Sequence, residues 1–121
     1  MMKKSMLLFL VLLISLPSFA RLKEKHVIGT WKYKVETDQG DLTGSIKIEK
    51  KDGLLVGEVH TDDGETFPVN KLEIMEDDTF YMEIYTGSDT LEISVTVKKK
   101  VFNGTVSTPE VSFPITADKI E

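Results

Sequence analysis

From Gly29 onward, short clusters of turn-forming residues punctuate the chain at intervals of about 10–14 residues, the cadence of an antiparallel all-β domain. The clusters are Asp38-Gln39-Gly40, Lys51-Asp52-Gly53, Asp62-Asp63-Gly64, Asp77-Asp78, Gly87-Ser88-Asp89, Lys98-Lys99-Lys100 and Thr108-Pro109. Asp-Gly pairs suit tight hairpins because glycine accepts the positive φ that such turns require. Seven turns of this kind predict eight strands. Arg21 to His26 is a charged lead-in, and no amphipathic helix or low-complexity linker is predicted from there to the end of the sequence.

Between the turns, apolar and polar residues mostly alternate, as a sheet with one buried face demands. The first strand points Trp31, Tyr33 and Val35 inward, with Lys32, Lys34 and Glu36 outward. The next two give Leu42, Ile46 and Ile48, then Leu55 and Val59. The fourth starts on Phe67 and Val69 and shifts parity to Leu72 and Ile74, which predicts a bulge around Asn70. Strands five to eight contribute Phe80, Met82 and Ile84; Leu91, Ile93, Val95 and Val97; Phe102 and Val106; and Val111, Phe113, Ile115 and Ala117.

One pattern recurs within these strands. In Leu42-Thr43-Gly44-Ser45-Ile46, Leu55-Val56-Gly57-Glu58-Val59 and Phe102-Asn103-Gly104-Thr105-Val106, a glycine takes an inward position between two large apolar residues. A sheet curls tightly where no side chain resists the bend. The expected fold is therefore a single eight-stranded antiparallel up-and-down β-barrel rather than a flat sandwich. Closure would also remove the edge strands that invite aggregation.

Ahead of this domain, Lys3 and Lys4 precede an apolar run from Met6 to Leu16, and Pro17-Ser18-Phe19-Ala20 ends in small residues. This is the pattern of a cleaved secretory signal peptide over residues 1–20, too short to remain as a membrane anchor. The barrel domain then spans residues 21–121, and the protein is expected in the periplasm or the extracellular space. The Lys-Lys leader is of bacterial type. Loss of Lys3 and Lys4 takes the 15 basic residues to 13 against 20 acidic ones, a net charge of −7. Such a balance excludes nucleic acid and anionic membranes as expected partners. The chain has no cysteine, which excludes thiol catalysis, disulfides and zinc-thiolate sites.

The segment Gly29-Thr30-Trp31, at the head of the first strand of such a meander, resembles the calycin group: lipocalins, fatty-acid-binding proteins and avidins. The resemblance implies that Trp31 closes one barrel end and that a basic residue of the last strand lies against its indole. Lys119, which shares the inward parity of Phe113, Ile115 and Ala117, is the residue placed to do so. Gly29, Trp31 and Lys119 thus form the expected barrel-closing set. The chain is shorter than a lipocalin and has no helical lid between its first two strands. It also lacks the tryptophans that line a biotin site. In size it is similar to avidins and to small secreted barrels that inhibit bacterial proteases.

The opposite end collects Asp38, Asp41, Asp62, Asp63, Glu65, Asp89 and Glu110 and no Lys or Arg. That mouth would suit a cationic head group or Ca²⁺, although Asp is also simply a good turn former. The inward set is almost wholly aliphatic or aromatic, and an eight-stranded barrel is only just wide enough to need filling by its own side chains. A filled interior is the favoured expectation. A partly open lumen would take a small apolar ligand, meeting Val35, Phe67, Ile84, Val106 and Phe113 near the mouth. On the outside, Leu54, Val56, Tyr81 and Tyr85 take outward parity on the third and fifth strands and form a candidate patch for a protein partner.

Nothing in the sequence has the pattern of a catalytic site. His26 and His60 lack the neighbours of a triad, and no metal-ligand spacing or cofactor motif occurs. The expected function is that of an exported, non-enzymatic interaction module, for example an inhibitor of an envelope or secreted hydrolase. The alternative is a carrier of a small apolar ligand in the lumen.

Overall fold

The computed structural model describes residues 24–75 and 78–121. The expected signal peptide, Arg21 and the Asp77 half of the Asp77-Asp78 turn lie outside the described residues. A single-turn helix α1 (Glu24–Val27) leads into β1 (Gly29–Thr37), β2 (Gly40–Lys51), β3 (Leu54–Thr61), β4 (Thr66–Pro68) and β5 (Lys71–Ile74). Then follow β6 (Thr79–Tyr85), β7 (Thr90–Lys98), β8 (Val101–Ser107) and β9 (Ser112–Lys119). Among the described residues these nine strands form one sheet in the order β4-β3-β2-β1-β9-β8-β7-β6-β5, with every neighbouring pair antiparallel. Consecutive strands pair, apart from β4 with β5, and β9 returns to lie beside β1. The sheet is curled into a barrel-like form.

The count differs from the expected eight because the fourth strand is two. The parity change read as a bulge at Asn70 is instead a change of partner. The amide of Val69 donates to the Gly57 carbonyl of β3 (2.9 Å), and the amide of the next residue, Asn70, donates to the Glu83 carbonyl of β6 (2.8 Å). Asn70 Oδ1 then accepts from the Tyr85 amide at 2.7 Å. One chain segment thus bonds to both ends of the sheet, β4 with β3 and β5 with β6. Pro68, with no amide to donate, sits where the first ladder ends. This is why the sheet can curl without leaving two long bare edges.

Curling requires backbone to approach backbone, and Gly104 shows how closely. A Cβ at Gly104 would stand 1.9 Å from the Ser94 carbonyl oxygen of β7. At Gly44 a Cβ would meet the His60 carbonyl of β3 first, and would come within 2.7 Å of the hydroxyl of Tyr33, its register partner on β1. Side chains at either position would flatten the sheet.

The core is concentrated at one end. Trp31, Phe80 and Phe102 are fully buried, with Ile46, Ile48, Met82, Val95 and Val27 around them. The Trp31 and Phe102 rings lie 4.9 Å apart, and Phe80 meets Phe102 edge to face at 5.6 Å. Val27 brings the second correction. Residues 21–26 read as a charged lead-in without helix, yet α1 forms over Glu24–Val27, tied by the Ile28 amide to the Glu24 carbonyl (2.9 Å). Its turn drops Val27 onto the end of the core. Among the described residues no helix is long and apolar enough to cross a membrane.

Candidate ligand-binding cavity

At the aromatic end the inward positions are filled. Trp31 Nε1 donates to the Val27 carbonyl at 2.9 Å, so the indole's one polar atom is satisfied in a site without solvent. Lys119 pairs with Trp31 across β1 and β9, and its Nζ lies 5.7 Å from the indole ring centre. The same Nζ donates to the Lys25 carbonyl at 3.3 Å, fastening α1 over the end of the sheet. Gly29 has φ +143°, and a Cβ there would collide with the Glu121 carbonyl (2.3 Å) and Lys119 Cε (2.5 Å). The three residues therefore meet at one place and close that end.

The other end is hollow. A cavity of about 490 Å³ opens there, within the size range of small-molecule sites. Val35, Phe67, Ile84, Val106 and Phe113 all line it. Tyr33, Leu42, Ile46, Val59, Leu91, Ile93 and Ile115 line it as well. The expectation of a filled interior thus holds for the Trp31 end alone. Leu42 displays the difference: it pairs with Val35, shares its inward side, and is nonetheless 59 % exposed. Val111, also inward by parity, is exposed as well. The sequence carried a signal for this. Trp31, Phe80 and Phe102 all fall at one end, whereas the other end is walled mainly by Val, Ile and Leu with only two phenylalanines.

The rim is polar and acidic. Asp41, Asp62, Asp63 and Glu65 line the mouth with Thr37, Thr43, Thr61, Thr86 and Thr108, and among the described residues no Lys or Arg does. The β3–β4 turn is held by its threonines. Thr43 Oγ1 donates to Asp62 Oδ2 at 2.5 Å, Thr61 Oγ1 donates to Asp63 Oδ1, and the Glu65 amide donates to Thr61 Oγ1 at 2.9 Å. Burial pushes the Tyr33 hydroxyl pKa up, and the nearby Asp62 and Asp63 carboxylates push it the same way. Among the described residues no group of three or more His, Asp or Glu side chains converges to hold a metal ion.

The outward candidates are dispersed among polar partners. Leu54 is 69 % exposed beside the β2–β3 turn, and Val56 is half-buried on β3. Tyr81 donates to Glu83 Oε2 at 2.8 Å, which pushes its pKa up to about 12, and Lys71 Nζ lies 5.9 Å from its ring centre. Tyr85, 56 % exposed, donates to the Gly87 carbonyl at 3.1 Å. His60 points outward, with Nε2 at 2.8 Å from Glu58 and Nδ1 at 3.2 Å from Thr66 Oγ1, and His26 is exposed on α1. The two are on different elements and share no partner.

No protein-family model matches this sequence, and no curated protein matches it. Solved structures with a similar fold include designed β-barrels. A redesigned β-barrel superposes with a TM-score of 0.66 at 18 % identity, covering 80 % of this chain and 94 % of that one. Another redesigned barrel, mFAP1 bound to DFHBI, gives 0.59 at 15 % identity over 79 % and 96 % of the two chains. A de novo designed fluorescence-activating barrel gives 0.58 at 10 % identity over 79 % and 95 %. At these identities the likeness is one of fold.

Proposed function

We propose that this protein is an exported, non-enzymatic, calycin-like binding protein that holds a small apolar ligand in the hollow end of its curled sheet. The cavity carries this reading. Its wall is aliphatic and aromatic, it opens at one end, and it stands on a floor that the Trp31 cluster keeps solid. Burying an apolar guest against such a wall is favourable by about 25 cal/mol for each Å² removed from water. Two of the similar barrels support the reading by analogy: one is fluorescence-activating by design and another is bound to DFHBI. The competing interaction-module reading, with hydrolase inhibition as its example, rests on Leu54, Val56, Tyr81 and Tyr85. No observation draws those four into a common surface, and both tyrosine hydroxyls are engaged by their own strand or turn.

The test is titration with a neutral, polarity-sensitive dye such as Nile red. The expected result is saturable one-to-one binding with blue-shifted emission. Val106→Trp, which grows a large ring into the cavity from β8, should weaken it at least tenfold while the circular dichroism spectrum stays that of a folded sheet. Absence of saturable binding, or binding to a folded Val106→Trp protein at unchanged affinity, would contradict the proposal.

A further inference from the structure

The cavity wall is apolar but its rim is not neutral, and this asymmetry names the ligand class. Resting on the ligand-binding reading above, we propose that the cavity selects cationic amphiphiles: molecules with an apolar body for the lumen and a protonated amine for the rim.

The carboxylates Asp41, Asp62, Asp63 and Glu65 line the mouth together. Among the described residues none of them has a Lys, Arg or His partner within ion-pair distance; every such pair lies on the outer wall or beside α1. Turn chemistry explains why Asp is common in these loops. It does not explain why every cation is kept away from the lining. Lys50, Lys51, Lys98, Lys99 and Lys100 stand instead at the β2–β3 and β7–β8 turns of the opposite end. The rim carboxylates, with no Lys or Arg beside them among the described lining residues, draw cations to the mouth and turn anions from it.

Tyr33 is the second, independent observation. The residue is only 8 % exposed and lines the cavity. Among the described residues no buried side-chain polar atom lacks a partner, so its hydroxyl is not an enclosed orphan but a polar group open to the cavity. The hydroxyl lies over Gly44, whose register partner on β3 is Thr61, and so sits below the Asp62-Asp63 turn. Its oxygen can accept from an ammonium N–H, and Asp62 and Asp63 each keep one carboxylate oxygen beyond the one bound by a threonine. An ammonium head at this level would find acceptors on two sides while its apolar body lies against Val35, Ile84 and Val106. The carboxylates do not converge as a metal site. An organic cation, whose N–H donors diverge from one nitrogen, does not need them to converge.

Three probes with one common chain test the proposal: decylammonium, decanol and decanoate, each competing with Nile red at pH 7 and low salt. Decylammonium is expected to bind at least tenfold more tightly than decanol, and decanoate more weakly than either. The advantage should shrink severalfold in 0.5 M salt. Asp62→Asn with Asp63→Asn and Glu65→Gln keeps acceptors for Thr43 and Thr61 and should bring the decylammonium-to-decanol ratio towards one. Tyr33→Phe should lower that ratio severalfold. If decanol matches decylammonium, or decanoate binds best, charge selection is overturned and the apolar cavity stands. If the dye binds nowhere and no probe binds, the ligand-binding reading itself fails.

Discussion

Trp31 is the residue on which the closed end depends. Its ring stacks on Phe102, its nitrogen is satisfied by Val27, and Lys119 covers its outer face. Truncation would leave an empty volume that neither Gly29 nor the strand backbones can collapse into. Trp31→Ala is therefore expected to cost about 3–5 kcal/mol in urea unfolding, as large aromatic deletions in cores do. A loss below about 1 kcal/mol would contradict its placement at the centre of the plug. The juxtaposition of Gly29, Trp31 and Lys119 was legible because the resemblance to the calycin group singled them out, and strand parity with an antiparallel return allows Lys119 to reach Trp31. The Val27 carbonyl was not: it depends on a single helical turn whose only sequence-level support is four residues, too few for any periodicity to register.

At the scale of elements, the strand pattern and its inward faces follow from alternation and turn chemistry, and the ladders pair as a meander should. The junction at Val69-Asn70 shows where such reasoning stops. Alternation reveals that the inward face changes parity there, but a bulge and a change of partner produce the same signature. Only the long-range pairing with β3 on one side and β6 on the other distinguishes them. The inward glycines are the other element-level device. Gly104→Ala would push a methyl group against the Ser94 carbonyl and drive β8 from β7. Overpacking of that kind costs about 1–3 kcal/mol. A Gly104→Ala protein with a wild-type denaturation midpoint would show that the two strands do not approach as described.

The molecule as a whole divides into a solid end and a hollow end, and that division is what gives it a function to propose. The residues of the mouth could be named from parity alone. Whether they meet across the lumen could not, because the interior width depends on strand tilt and stagger, which no local pattern encodes. The clustering of Trp31, Phe80 and Phe102 at one end leaves Val35, Ile84 and Val106 facing the cavity at the other. An acidic rim above an apolar wall sets the hollow end apart from the Trp31 end, whose turns carry Lys and Asp together.

The most direct measurement is a methyl-resolved NMR titration of the protein with a small neutral aromatic probe. The account predicts saturable shifts confined to Val35, Leu42, Ile46, Val59, Ile84, Leu91, Ile93, Val106 and Ile115, with Ile48, Val95 and Val97 beside the Trp31 plug undisturbed. Shifts that fall instead on Leu54 and Val56, or no saturable shift in the cavity methyls, would contradict a ligand-holding lumen and return the function to the outer surface.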